Sequence, residues 1–292
     1  PTIHLSGDDT STFNLHNLTV SSDISHVNVI LDGNLEIDGN IDLGAIGTYY
    51  YDGGDLVPVY SSSTLKGGGG SVDFVNAEGS SLHDISVTSQ TYGDSRAYLG
   101  GNITVDGSIE IRAGGYSSAT DSSFSILSLE HATLNHANLT MFDLGSNTNT
   151  VFNFQSLQGT IDDLNLRAEY GGSVSLDIGS SENLIRISGD ILAVAYGNAT
   201  VHLSADINGS TLHNISVDAL YDPSSVSHVN LLGSITVDGT ISIDADYGSS
   251  ASLSLQSIDF KNTDLYMQNA NFSYTTSTGN INNFTDIVYG SS

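Results

Sequence analysis

Apolar and polar residues alternate at a period of two along nearly the whole chain. Clear cases are residues 27–30, 35–43, 103–111, 124–129 and 235–243, where Ile, Leu and Val alternate with Ser, Thr, Asn and Asp. Successive side chains of an extended chain point to opposite faces, so this spacing predicts half-buried strands. Asp-Gly, Gly-Gly, Asn-Gly and Ser-rich turns interrupt the strands. No segment carries a helical period of useful length, and the nearest, residues 262–271, reads as strand plus turn. The prediction is an all-β chain.

The pattern also repeats. Leu15-His16-Asn17-Leu18-Thr19-Val20 recurs as Leu82-His83-Asp84-Ile85-Ser86-Val87 and as Leu212-His213-Asn214-Ile215-Ser216-Val217, with a weaker copy at Ile161-Asp162-Asp163-Leu164-Asn165-Leu166. Downstream of each lies a second motif, Leu35-Glu36-Ile37-Asp38-Gly39-Asn40-Ile41 in the first copy. Its later copies are Ile103-Thr104-Val105-Asp106-Gly107-Ser108-Ile109 and Ile235-Thr236-Val237-Asp238-Gly239-Thr240-Ile241, with Ile185-Arg186-Ile187-Ser188-Gly189-Asp190-Ile191 as a weak one. The step from the first motif to the Gly of the second is roughly 23–27 residues, the length of one coil of a stacked repeat. A third motif, Tyr-Gly after a strand, appears at Tyr170-Gly171, Tyr196-Gly197 and Tyr247-Gly248.

A strand with one aliphatic face cannot cover that face alone, but a stack of coils can, with an Ile/Leu/Val core running through it. The spacing therefore predicts a parallel β-helix (β-solenoid), which also tolerates the unequal loop lengths. A string of antiparallel β-sandwich modules is the alternative. The chain reads as one continuous array over residues 1–292, with approximate repeats at 1–71, 72–150, 151–200 and 201–292. The Gly67-Gly68-Gly69-Gly70 run is the one candidate linker and reads equally as a loop within the stack.

Charge narrows the function. Six Lys+Arg stand against 33 Asp+Glu, a net charge of −27. Nucleic acids and anionic membrane surfaces are bound by neutralising phosphate with Lys and Arg, so neither is an expected partner. No run reaches the ~18–20 apolar residues of a membrane span, and with no Cys there are no disulfides or thiolate metal sites. The chain opens at Pro1 without Met and is read as a processed product or a fragment. Its last motif, Ile287-Val288-Tyr289-Gly290, resembles the front half of the internal junction at Tyr196-Gly197, and Thr2-Ile3-His4-Leu5 resembles the back half at Thr200-Val201-His202-Leu203. Thr2, Ile3, Leu5, Ile287 and Tyr289 are therefore the expected contacts through which the array continues, either covalently in a longer repeat chain or into a neighbouring subunit.

Several residue types bear on chemistry. Calcium takes six to eight oxygens, and acidic turns supply them; Asp38, Asp106, Asp238, Asp244 and Asp246 are the candidate calcium ligands, although Asp-Gly also makes turns unaided. A zinc site needs several imidazoles to converge, whereas His16, His83 and His213 recur at one repeat position and predict an outward-facing ladder. The recurring tyrosines read as covers over the corners of the core. The Tyr49-Tyr50-Tyr51 triplet, outside that repetition, is the expected contact patch. Catalysis has little support: the six cations Lys66, Arg96, Arg112, Arg167, Arg186 and Lys261 are scattered, no pair of carboxylates stands out, and there is no Gly-x-Ser-x-Gly elbow. Asn-x-Ser/Thr sequons are no more than a chain this rich in Asn, Ser and Thr yields by chance.

The Lys-poor, Cys-free, Ser/Thr/Asn/Gly-rich strands with Asp-Gly turns resemble bacterial and archaeal β-helical surface proteins: S-layer subunits, large repeat adhesins and filament-forming matrix proteins. The resemblance implies a secreted, extracellular or cell-surface protein that self-assembles or adheres, often with calcium. The expected function is a structural, non-enzymatic building block that joins head-to-tail with itself into a filament, matrix or surface layer. The rival is a β-helix that binds or cleaves polysaccharide, with cell-surface polysaccharide as its partner.

Overall fold

The structure, a computed structural model, describes residues 2–6, 12–22, 26–32, 34–37, 39–46, 49–52, 55–58, 69–76, 79–90, 94–114, 122–178 and 184–287. Side chains are described over 15–19, 39–42, 79–89, 95–114, 123–178 and 184–287. The described residues form strands and turns, with no helix among them. The long strands pair in parallel with strands one coil away, so the fold is a parallel β-solenoid and not a string of antiparallel sandwiches. Tyr49–Asp52 and Asp55–Pro58 form an antiparallel hairpin.

The chain divides into two compact units, Pro1–Thr133 with Phe142–Ser156, and Leu134–Met141 with Leu157–Ser292. In the first, Leu18–Ser22, Ile41–Ile46, Ile85–Gln90 and Ser108–Ala113 stack in that order, with Leu18, Ile41, Ile85 and Ile109 in register. A second column runs through Thr2–Ser6, His26–Asp32, Gly69–Asn76 and Asp94–Val105. The long step from Ile41 to Ile85 holds the antiparallel hairpin, yet register resumes after it without a slip.

The second unit gives the clearest view of what the alternating pattern does. Leu164, Ile191, Ile215, Ile241 and Leu265 lie in register, one per coil, and each is buried. Leu176, Leu203, Val229 and Leu253 form a second buried column. Between them Ala168, Ala195, Ala219 and Ala245 fill the inside of a corner too narrow for larger side chains. Burying each Leu or Ile stabilises the coil by about 1.5–3 kcal/mol, and no coil obtains that burial without the coils on either side. In this unit Ser227, Thr263 and Ser210, all buried, are satisfied within the stack: Ser227 Oγ donates to Ala193 O at 3.0 Å, Thr263 Oγ1 to Val237 O at 2.6 Å, and Ser210 Oγ accepts the Ile187 N–H at 2.9 Å.

After each strand of the 191–196 column the backbone enters the left-handed region, at Tyr170 (φ 49°), Asn198 (63°), Tyr221 (68°), Tyr247 (50°) and Asn269 (49°). Such a conformation costs a non-glycine residue about 1–3 kcal/mol. It is held by bonds that carry the ladder through the corner, such as Tyr170 N–H to Tyr196 O at 2.9 Å and Tyr221 N–H to Asp246 Oδ1 at 2.6 Å. The turn swings the tyrosines outward: Tyr170, Tyr221 and Tyr247 are 59%, 59% and 70% exposed. They do not lie over the core as the sequence reading expected; the alanine column fills that place.

The column arrangement makes a direct prediction for stability. Ile215→Ala leaves a cavity between Ile191 and Ile241 and should destabilise the protein by about 2–5 kcal/mol, whereas Val226→Ala, at a partly exposed strand end, should cost well under 1 kcal/mol. Urea unfolding of the two variants checks this, and equal midpoints would contradict the column.

Candidate functional site

The corner between the short strand and the 191–196 column carries most of the side-chain chemistry. Here the two sequence motifs meet, because they are one corner seen on successive coils. Asp106 N–H donates to Leu82 O at 3.1 Å and Asp238 N–H to Leu212 O at 3.1 Å, stacking each Asp-Gly corner on a Leu-His-Asx corner. The spacing of roughly one coil read from the sequence is therefore a real step in space.

The glycines of the second motif are required by close approach. A Cβ at Gly107 would lie 2.2 Å from His83 O, and one at Gly239 2.1 Å from His213 O. Gly39 meets His16 O at 1.9 Å, and Gly189 meets Asp162 O at 2.5 Å. Backbone passes directly over backbone at these corners, and no side chain fits between.

A ladder of Asx side chains fixes the spacing. In the second unit Asn138 Oδ1 accepts the Asp163 N–H at 3.3 Å, Asp163 Oδ1 the Asp190 N–H at 2.9 Å, Asp190 Oδ1 the Asn214 N–H at 2.9 Å, and Asn214 Oδ1 the Thr240 N–H at 2.9 Å. In the first unit Asn17 Oδ1 accepts from Asn40 N–H at 2.9 Å and Asp84 Oδ1 from Ser108 N–H at 2.8 Å. Each acceptor satisfies a turn N–H that the parallel ladder leaves over. Bonds from Ser108 hold the Asp84 carboxyl below the usual carboxylate range.

Outside this ladder, imidazole meets carboxylate. His83 Nδ1 lies 2.9 Å from Asp106 Oδ1, His136 Nδ1 2.8 Å from Asp162 Oδ1, and His213 Nδ1 2.9 Å from Asp238 Oδ1. The pairs span 23, 26 and 25 residues, one coil each. The bond to Asp106, aided by the charge of Asp84, raises the His83 pKa, and the bond to Asp238 raises that of His213. The bonds from His136 and Ser188 lower the Asp162 carboxyl. The expected histidine ladder is thus outward-facing, but histidine alternates with aspartate and does not stack on histidine. His136 was not recognised as a member, and Asp162, read as part of a weak histidine-motif copy, is its acceptor.

Farther round the same coils, Tyr170, Tyr196, Tyr221 and Tyr247 stack with ring centroids 5.5, 4.7 and 5.9 Å apart. Tyr170 meets Tyr196 edge-on, Tyr196 meets Tyr221 at a tilt, and Tyr221 stacks on Tyr247, so the row stays open to solvent at Tyr170, Tyr221 and Tyr247. On the outward side of the 215–220 strand, Asp218 stands in register with Asp244. Burial pushes the Asp218 carboxyl up to about 6 against a bond from Ser216, and Asp244 adds to the rise. Asp244 is itself raised by burial and by Asp246.

The predicted calcium ligands are not gathered. Asp106 and Asp238 face histidines, Asp246 holds the Tyr221 N–H, Asp244 faces Asp218, and Asp38 lies outside the described residues. No group of three or more His, Asp or Glu side chains is assembled among the described residues. Of the cations, Arg167 pairs with Glu169 and Arg112 lies 4.7 Å over the Phe142 ring, and Lys66 is outside the described residues. Tyr49, Tyr50 and Tyr51 form one strand of the hairpin, and their side chains lie outside those described. The same holds for the side chains of Thr2, Ile3 and Leu5, whose strand pairs with His26–Asp32, and for the whole of Tyr289.

The last described strand, Asn271–Ile287, is the exception to the burial pattern. Phe272, Tyr274, Ile281 and Phe284 stand in register with the buried Leu253, Leu255, Thr263 and Leu265, so they occupy core-facing positions. Yet Tyr274 is 48%, Ile281 38% and Phe284 60% exposed. The strand pairs in parallel with Ser250–Gln268 along its length, with register shifts either side of Thr263, and no further rung is registered on its other side among the described residues. Ile287, one of the expected assembly residues, ends this strand opposite Gln268. Sequence reasoning missed Tyr274, Ile281 and Phe284, although Phe284 falls at the periodic position that Leu265 and Ile241 hold in earlier coils.

No protein-family model matches the chain, and no curated protein or solved structure is detectably similar to it. No described helix is long and apolar enough to cross a membrane.

Two outcomes follow for this corner and its neighbours. Gly239→Ala forces a methyl into a backbone carbonyl and should cost about 1–3 kcal/mol or more, read from the denaturation midpoint. The titrations combine with one sign. Asp218, raised above its unfolded value of about 4, loses stabilisation as pH rises through about 6, and the raised His83 and His213 lose theirs at still higher pH. The lowered Asp84 and Asp162 lose theirs only when pH falls below about 4. Thermal melting should therefore peak at about pH 4 and decline as pH rises towards about 6. Asp218→Asn should raise the melting temperature at pH 7 and leave it nearly unchanged at pH 4, and a uniform shift at both would refute the assignment.

Proposed function

We propose that the protein is a structural, non-enzymatic building block that joins end to end with further copies of itself outside the cell, in a filament, matrix or surface layer. The observation that carries this reading is the last described rung, Asn271–Ile287, where Tyr274, Ile281 and Phe284 stand exposed in core-facing positions. A parallel edge offers a row of unpaired N–H and C=O groups as well as apolar side chains, and both are satisfied by one further parallel strand.

The first rung of another copy has the matching edge. Thr2–Ser6, Thr12–Leu15 and Leu18–Ser22 each pair in parallel with a strand that follows them, His26–Asp32, Asn34–Ile37 and Ile41–Ile46. Their other edge is the one a preceding rung would occupy. Contact between two different edges of identical subunits is heterologous, and it propagates when the symmetry does not close. The small number of cations and the ladder role of the corner aspartates support a structural reading, in which the repeated corners serve the stack itself.

Sedimentation and negative-stain electron microscopy test the proposal. Wild type should form concentration-dependent oligomers or fibres, and Phe284→Asp with Tyr274→Asp should reduce them to monomers with unchanged circular dichroism. A wild-type protein that stays monomeric at all concentrations, or a double variant that assembles as well as wild type, would overturn it.

A further inference from the structure

Outside the corners the structure brings two imidazoles together in a different way. His202, on Thr200–Asp206, is in register with His228, on Val226–Val237. Their ring centroids are 5.3 Å apart and the rings are 14° from parallel. His202 is exposed and His228 half-buried, on the outward side of the sheet. The neighbours in the same row are Ser175 before them and Ser252 after them. Each corner histidine, by contrast, has its Nδ1 at a carboxylate, and the coil next to it carries an aspartate in place of a second ring.

We propose that His202 and His228 form a two-imidazole site for a divalent transition-metal ion of the zinc, copper or nickel type. Two properties carry this. The two residues sit directly opposite on adjacent parallel strands, which sets their Cβ atoms about 5 Å apart with no backbone movement. A metal held at about 2.0–2.1 Å by two nitrogens needs them within about 4 Å of each other, a small lean of the ring tips from the stacked spacing. Second, His228 Nδ1 is hydrogen-bonded to Ser252 Oγ. With Nδ1–H as donor the ring is fixed in the tautomer that leaves the Nε2 lone pair outward, the arrangement found around metal-bound imidazoles.

The surroundings fit an incoming cation. Asp177 lies on the same exposed side, two residues beyond Ser175, diagonal to His202 and about 7–8 Å from it by sheet geometry. The chain's charge of −27 concentrates cations at its surface. Two imidazoles with the remaining positions open to water favour the borderline metals over calcium, which takes oxygen ligands.

Calorimetric titration of the full chain with zinc chloride, and electron paramagnetic resonance of the copper(II)-loaded protein, test the site. Wild type should bind one zinc ion saturably. His202→Ala and His228→Ala should each weaken that binding about tenfold or more, and His213→Ala should leave it unchanged. The copper spectrum should carry hyperfine coupling from two equivalent nitrogens, falling to one in either variant. Absence of saturable binding, loss in His213→Ala instead, or coupling to a single nitrogen in wild type would overturn the proposal. Should an alanine variant misfold, the wild-type copper spectrum alone decides.

Discussion

A parallel coil has an apolar side that only another coil can cover, and register between coils is the constraint on which this protein depends. The column Leu164, Ile191, Ile215, Ile241, Leu265 works because one residue of each coil lands over its equivalent in the last. A slip of one residue would put the polar alternates into the core and the aliphatic ones into water. Everything else is placed by that registration. The glycine corners, the Asx ladder and the histidine–aspartate pairs recur at one coil's spacing because the columns hold the backbone there.

Electrostatics follows from the same geometry. A chain with 33 acidic residues and 6 basic ones must keep its carboxylates from repelling one another as the coils are drawn together. At the Asx corner it does so by giving them donors: Asp84, Asp163 and Asp190 each accept a backbone N–H from the following coil, and Asp106, Asp162 and Asp238 each meet an imidazole. Where register sets two carboxylates side by side, as at Asp218 and Asp244, burial raises both pKa values, with the charge of Asp244 adding at Asp218 and that of Asp246 at Asp244.

The fold was legible in the residues because both of its periods are written there, two within a strand and about one coil between motifs. Leu82-His83-Asp84-Ile85 and Val105-Asp106-Gly107-Ser108 could be aligned by eye, although the pairing of His83 with Asp106 could not, since it depends on which atoms face each other at a corner. His136 escaped because its strand carries a left-handed residue at that very position, φ 59°, which breaks the Leu-His-Asx pattern while the ring still reaches Asp162. The tyrosines were placed over the core because an aromatic residue beside a strand end ordinarily buries its ring. The left-handed backbone at Tyr170, Tyr221 and Tyr247 directs them outward, and alternation alone carries no sign of φ. Phe284 follows the aliphatic period faithfully, but whether a periodic residue is covered depends on the next coil and not on its own neighbours in sequence.

The hairpin between Ile41 and Ile85 bears on how such a chain acquires new capabilities. Ile85 returns to register with Ile41 whatever length of polypeptide lies between them, because the columns and not the connection determine where the strand lands. A corner of this kind is a socket: foreign segments can be grafted there and displayed at a fixed height on the stack, while the coils beneath go on folding by their own pattern.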